Sequence, residues 1–336
     1  MTTETIKLPH EELTITLEWD KVFSKRDKVE HKKVAFPNHY GITLIADVYI
    51  PKNAKGPLPA IAVAGPFGAV KEQSSGLYAQ EMAERGFYTL AFDPSFTGES
   101  GGQPRFMTSP DINTEDFSAA VDYLVTNPMV NPDEVGIIGI DGWGSIAINA
   151  AASDPRIKAT VASTMYDISR AHANGYFDSA DSTEARKKLR ESLAVQRTED
   201  FRTGTPKLAG GVRDFVPEDA PQFLKDYHAY YKTERGYHPR SLNSNGGRNV
   251  TAVIPWINSP LMSRAEEIEN AVMIVHGEIA HSFYFSYDTY KKLKCTPGKE
   301  NKHFIVVSEA SHIDLYDQKD KIPFEDIEYF FKEYLK

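Results

Sequence analysis

Cysteine is almost missing from this chain. Of 336 residues only Cys295 carries a thiol. A single cysteine excludes any disulfide within the chain and fits a reducing compartment. Long apolar runs are missing too: none approaches the roughly 20 residues that span a bilayer, so no membrane partner is expected. The opening Met-Thr-Thr-Glu-Thr lacks the basic, then apolar, pattern of a secretory signal. These absences together predict a cytoplasmic protein. Positive charge is in deficit. Lys and Arg number 38 against 47 Asp and Glu, a net charge of −9, which argues against nucleic acid as a partner. No Gly-x-Gly-x-x-Gly or Walker pattern follows a strand-like run, and the histidines show no metal-ligand spacing. Neither a cofactor nor a metal is expected.

What is present is an ordinary globular composition, 41% hydrophobic and 25% charged. The length suffices for one large core with an elaboration. Residues 1–30 are polar, with an alternating patch "LTITLEW" that predicts a peripheral strand or arm. "HKKVAFPNHYGITLIADVYIP" reads as a β-hairpin split at Pro37-Asn38. The continuous apolar run at 58–66 predicts a strand buried on both faces. Helical and strand-like patterns then alternate to about residue 164. "SSGLYAQEMAERG" stops on Gly86, and "NTEDFSAAVDYLVTNP" puts Phe117, Val121 and Leu124 on one face. This alternation predicts right-handed βαβ units and a mostly parallel sheet flanked by helices.

The alternation stops after Thr164 and resumes with "AVMIVHG". Residues 166–258 are polar and rich in Arg, Tyr and Gly, with helical patterns in "STEARKKLRESLAVQR" and "APQFLKDYHAYYK". The expected organisation is an α/β core in two parts, 1–165 and 259–336, with a helical cap inserted at 166–258.

Open parallel sheets gather their chemistry at the carboxyl ends of the strands. Those ends carry Gly65-Pro66-Phe67-Gly68, Asp93, Asp141-Gly142-Trp143, Tyr166-Asp167, Gly277-Glu278 and Ser311-His312. A Gly-rich turn after the first core strand, a sharp strand-to-helix turn in the middle and a histidine after the last strand form one layout. It is the oxyanion-hole, nucleophile and base arrangement of the α/β-hydrolase fold. The stretches "GPFGAVKEQSSGLYAQEMAERGFYTLAFDPSFTGESGG", "VGIIGIDGWGSIAINAA", "VHGEIAHSFYFS" and "ASHIDLYD" carry the resemblance. The chain resembles α/β hydrolases of the dienelactone-hydrolase-related group, including bacterial hydrolases and fungal polyketide-transferase-like proteins.

The resemblance implies that His312 is the catalytic base and that the elbow residue is the nucleophile. Ser or Cys is usual at that apex; here it is Asp141. Three readings follow. The first is ester, thioester or related acyl hydrolysis through an Asp141, His312 and acid site. The second is displacement at carbon with Asp141 as nucleophile, as in the dehalogenase and epoxide-hydrolase branches. The third is a binding protein whose elbow is silent, by natural loss or an introduced substitution. The acid is expected at Glu278, after "AVMIVHG", with Asp167 as the alternative. Backbone N–H groups of Phe67 or Gly68 and of Gly142 are the expected oxyanion hole. Trp143, His281 and Ser282 are expected to line the substrate pocket. Asp93 is read as structural, and "RGYHPR" as an exposed loop or a contact for an acidic substrate. The expected partner is a small-molecule substrate, and a homodimer is the ordinary expectation for a soluble enzyme of this size.

Overall fold

The computed structural model describes residues 11–336; the first ten residues of the expected arm lie outside it. Eight strands form one sheet: β1 (Val29–Pro37), β2 (Thr43–Pro51), β3 (Leu58–Ala64), β4 (Tyr88–Phe92), β5 (Val130–Ile140), β6 (Ala159–Ser163), β7 (Ala271–Gly277) and β8 (Lys302–Val307). Their order is β1-β2-β4-β3-β5-β6-β7-β8. The β1–β2 hairpin and the β2–β4 pair are antiparallel, and the pairs from β4 through β8 are parallel. Asn38 makes the hairpin corner: its side-chain oxygen accepts from the N–H groups of Tyr40 and Ile42, both at 3.0 Å.

Strands β3, β4 and β7 are mostly apolar because both of their faces are covered, whereas β8 at the sheet edge is half-buried. Helices α1 (Ser74–Glu84), α2 (Pro110–Val125) and α3 (Gly142–Ser153) arise where the 3.6-residue spacing predicts them. Phe117 of α2 and Ile146 of α3 enter the apolar layer on one face of the sheet. Tyr78 and Met82 of α1 enter the other, with Phe331 of the C-terminal helix.

Between β6 and β7 lie α4 (Ile168–Asn174), α5 (Thr183–Thr203), α6 (Gln222–Tyr231) and short 3₁₀ stretches. Helices α7 (Phe283–Lys292), α8 (Asp314–Asp317) and α9 (Phe324–Tyr334) complete the described chain. "LTITLEW" is not a strand. Trp19 instead packs edge-on against Phe23, His31 and Tyr49, and Lys21 forms a buried ion pair with Asp47 at 2.7 Å. Aromatic packing and this buried charge pair hold the segment where a strand ladder was expected.

Candidate active site

Two glycines bring the site together. A Cβ on Gly139 would lie 2.1 Å from the Trp143 carbonyl oxygen, so only glycine lets α3 fold back on β5 so sharply. A Cβ on Gly65, at φ +104°, would lie 2.3 Å from the Ile140 oxygen. Glycine there lets the turn after β3 press against the end of β5. Asp141 sits at that end with φ 58° and ψ −128°, a costly conformation for a residue with a side chain. The backbone holds it there: its N–H donates to Ser163, and its carbonyl accepts from Gly144 and Tyr166.

The two carboxylate oxygens of Asp141 have separate partners. Oδ2 accepts from the Phe67 backbone N–H at 2.9 Å. Oδ1 lies 3.0 Å from His312 Nε2. Both side chains are buried. The Tyr316 hydroxyl also lies 3.0 Å from His312 Nε2. Burial, and then the Asp141 carboxylate, push the Tyr316 phenol well up, so it stays neutral.

The other ring nitrogen of His312 meets hydroxyls, not a carboxylate. Nδ1 lies 3.0 Å from Thr164 Oγ1 and 2.6 Å from Ser282 Oγ. The Thr164 hydroxyl proton is engaged by the His312 carbonyl at 3.1 Å, so toward the ring its oxygen accepts and Nδ1 carries a proton. Ser282 passes its own proton on to His276 Nε2 at 3.0 Å, and His276 Nδ1 faces Ser286 Oγ at 2.6 Å. Burial holds His276 well below the usual histidine range, so it is neutral and has one N–H to give. A proton on Nε2 would bridge the imidazole to the Asp141 carboxylate, with the Tyr316 hydroxyl beside the same nitrogen.

Several sequence expectations are placed elsewhere. Glu278 is exposed and turns away from His312; its Oε2 accepts from Ser308 Oγ at 2.9 Å and Glu309 N–H at 3.0 Å. Those two bonds lower its pKa and tie down the β7 and β8 loops. Asp167 caps α4, accepting from Arg170 N–H at 3.0 Å and Ser169 Oγ at 2.7 Å. Neither carboxylate meets the histidine, because each has local donors that satisfy it first. Ser282 backs His312 from behind the cavity wall. His281 stacks on Phe223, with ring centroids 4.3 Å apart, and lies 5.2 Å from the His312 ring.

Gly68 lines the cavity, and its carbonyl accepts from Asn243 N–H and Ser241 Oγ, both at 3.1 Å. Gly142 opens α3 against the Phe67 side chain. Trp143 lines the cavity, its ring packed edge-on against Phe92 and Phe117. Arg235 and Arg240 of "RGYHPR" are committed to internal ion pairs, with Asp317 at 2.6 Å and with Asp20 and Glu72 at 2.7 and 2.9 Å. Thr164, Tyr316, His276 and Ser286 escaped the sequence reading, and Ser282 was expected in the pocket wall, not behind the histidine. Tyr316, four residues after His312, gave the one usable signal, since that spacing stacks side chains on a helical turn.

The cavity above Asp141 has a volume of about 720 Å³. Tyr227, Tyr231 and Leu224 of α6 line it together with Tyr166 and Tyr316 from the core. Glu72, Asp93 and Glu99 converge within 4.8 Å of one another beneath the Phe67 turn. Lys71 Nζ lies among them at 2.7, 2.8 and 2.6 Å and supplies the positive charge they need.

The buried histidines carry a pH prediction. Burial, and then His312, lower His281 to about 3, and burial holds His276 lower than usual as well. Their folded pKa values lie below the unfolded value of 6.5. The unfolded chain therefore takes up protons that the folded chain refuses. Stability is full above the unfolded pKa and is lost as pH falls through it, by up to ~1.4 kcal/mol per pH unit for each histidine. Denaturant unfolding at about pH 7.5 and about pH 5.5 reads this, and His281→Gln removes one histidine's share of the slope.

Comparison with known proteins now places the chain. Residues 40–314 match the model of the X-Pro dipeptidyl-peptidase (S15) family. The chain belongs to that family. PA2218 of Pseudomonas aeruginosa is 53% identical over 326 residues, covering 96% of this chain and 86% of that protein. Its crystal structure superposes with a TM-score of 0.92 at 52% identity, over 97% of this chain and all of that one. YcjY of Escherichia coli K12 is 33% identical over 294 residues, 86% of this chain and 94% of its own. The α/β hydrolase GrgF from Penicillium sp. shares the fold, with a TM-score of 0.73 at 19% identity over 91% of this chain and 99% of its own. Family and fold make this S15-family chain a hydrolase of the α/β-hydrolase fold. No helix among the described residues is long and apolar enough to cross a membrane.

Proposed function

We propose that this hydrolase opens a strained or activated carbon–oxygen bond, such as an epoxide, by displacement at carbon, with Asp141 as nucleophile. The split carboxylate carries the reading: Oδ2 already rests on the Phe67 N–H while Oδ1 faces His312. Attack by Oδ1 forms a carbon–oxygen bond and breaks the substrate's, and the leaving alkoxide takes the Tyr316 proton. His312 restores that proton across 3.0 Å and becomes neutral. Neutral His312 then deprotonates a water that attacks Asp141 Cγ. Negative charge develops on Oδ2, where the Phe67 N–H stabilises it. Collapse releases the alcohol, which takes the proton back from His312, and the regenerated carboxyl returns its own proton to the imidazole. The net reaction adds one water across the broken bond.

Acyl hydrolysis fits this site less well. Oδ2 occupies the donor that a substrate carbonyl needs, and attack by a carboxylate on an acyl group gives an unstable anhydride. X-Pro dipeptide cleavage, the activity in the family's description, meets the same obstacle. In this mechanism the leaving oxygen takes its proton from the neutral Tyr316 phenol, backed by His312, which suits an oxygen leaving group better than a halide. The narrower kinship with dienelactone-hydrolase-related proteins is part of this proposal and rests on the shared motifs. Turnover of styrene oxide, 1-bromohexane and p-nitrophenyl acetate tests the reading. The epoxide is expected to react fastest. Turnover of the acetate alone would overturn it.

A further inference from the structure

Arg248 has no established task in this fold. It follows Gly246 and Gly247, both at positive φ, in a turn clasped to the segment at 208–210 by the Ala209 N–H to Arg248 carbonyl bond at 2.8 Å. Its guanidinium lines the cavity, lying 5.6 Å from the Phe67 ring centroid. Phe67 is the residue whose N–H holds Asp141. The two arginines of "RGYHPR", by contrast, both end on carboxylates: Arg235 on Asp317 and Arg240 on Asp20.

No carboxylate among the described residues pairs with Arg248. Its one polar side-chain contact is His172 Nε2 at 3.4 Å. That histidine is lowered to about 3 by burial and then by Arg248, so it stays neutral and only accepts. The Arg248 Nε is sealed from solvent and has no partner. A guanidinium offers five N–H donors in a planar fork that matches a carboxylate. Leaving most of them unused beside a cavity is costly unless a ligand takes them.

The charge balance of the cavity points the same way. The chain carries net −9, yet among the described residues Asp141 is the only carboxylate lining the cavity, and it faces His312. The cavity's fixed cations are Arg248 and Arg213. We infer that the substrate carries a carboxylate, which Arg248 grips while the reacting carbon faces Asp141. This rests on the cavity being the substrate site and deepens the proposal above. The aromatic wall from Tyr166, Tyr227 and Tyr231 suits an apolar body between the two ends.

Equilibrium binding of unreactive ligands separates this inference from the chemistry at Asp141. The probes are 4-phenylbutyrate and its neutral amide, titrated calorimetrically into the intact chain. The acid is expected to bind at least about tenfold more tightly than the amide, the size of a charge-assisted contact. Arg248→Met is expected to erase the preference and Arg248→Lys to keep part of it. Arg248→Gln, which can still donate to His172, serves if the Met variant does not fold. The inference is overturned if the unaltered chain binds both ligands equally, or binds neither. It is also overturned if the preference survives at Arg248→Met and disappears at Arg213→Met. A failure of styrene oxide turnover alongside a clear acid preference would reject the displacement reading and leave Arg248 as the carboxylate anchor.

Discussion

Asp141→Asn is expected to lose epoxide turnover by about 10⁴-fold or more, the scale seen when a covalent nucleophile is removed. The amide keeps nearly the same volume and can still accept from Phe67 N–H, so the fold is expected to survive. Asp141→Ser should do more than lose activity. It removes the carboxylate that occupies the Phe67 donor, leaving that N–H open to a substrate carbonyl. It also removes the anion beside His312 Nε2, leaving that nitrogen to serve the serine hydroxyl as a base. The serine variant is therefore expected to gain p-nitrophenyl acetate hydrolysis that the native chain lacks, with a burst of acetyl-enzyme. Steady-state rates on both substrates, with melting temperatures as a folding check, read the exchange. Full epoxide turnover by Asp141→Asn would remove Asp141 from the chemistry.

Lys71→Met is expected to cost about 3–5 kcal/mol of folding stability, the scale for removing one partner of a buried charge cluster. Lys71 Nζ is fully buried within 2.8 Å of Glu72, Asp93 and Glu99. Without it, three carboxylates face one another with Lys33 and Arg240 at their margins. Asp93 also accepts the Lys71 and Glu99 backbone N–H groups, both at 2.8 Å, so the cluster fixes the turn that presents Phe67. Activity should fall along with stability. The pH dependence separates this account from a simple cavity. In the native chain Lys71, opposing the cost of burial, holds Glu72 below its ordinary 4.5. That stability is present above the unfolded pKa and lost as pH falls. In the variant the crowded carboxylates prefer their protons, so its deficit relative to the native chain should shrink on acidification. Denaturant unfolding of both chains across the acid range checks the sign.

Much of this was legible in the sequence, for identifiable reasons. The apolar runs of β3 to β7 and the helices between them follow from residue spacing alone. The elbow showed itself in Gly139 and Gly142 around Asp141, and His312 in its place after the last strand. The histidine's partners were not legible, because Thr164 and Ser282 are ordinary hydroxyls, one after β6 and one at the start of α7. Only the packing of β6, β7 and β8 side by side brings these two to the His312 ring. Glu278 satisfied the position rule for an acid, but the Glu309 backbone N–H captured it. "LTITLEW" alternates like a strand, yet the packing of Trp19 and the Lys21–Asp47 pair hold it out of the sheet. Arg248 lay in a stretch with no strand pattern, where nothing in the sequence says which arginines will find carboxylates.

The central claim is that Asp141 bonds covalently to substrate carbon and that water then attacks its carboxyl group. Turnover of styrene oxide in oxygen-18 water, followed by mass analysis of the peptide containing Asp141, tests it without altering the chain. The account predicts oxygen-18 in the Asp141 carboxylate and a first-turnover diol whose new oxygen comes unlabelled from the protein. A labelled diol from the first turnover, with Asp141 unlabelled, would show that water attacks the substrate directly and would contradict the account.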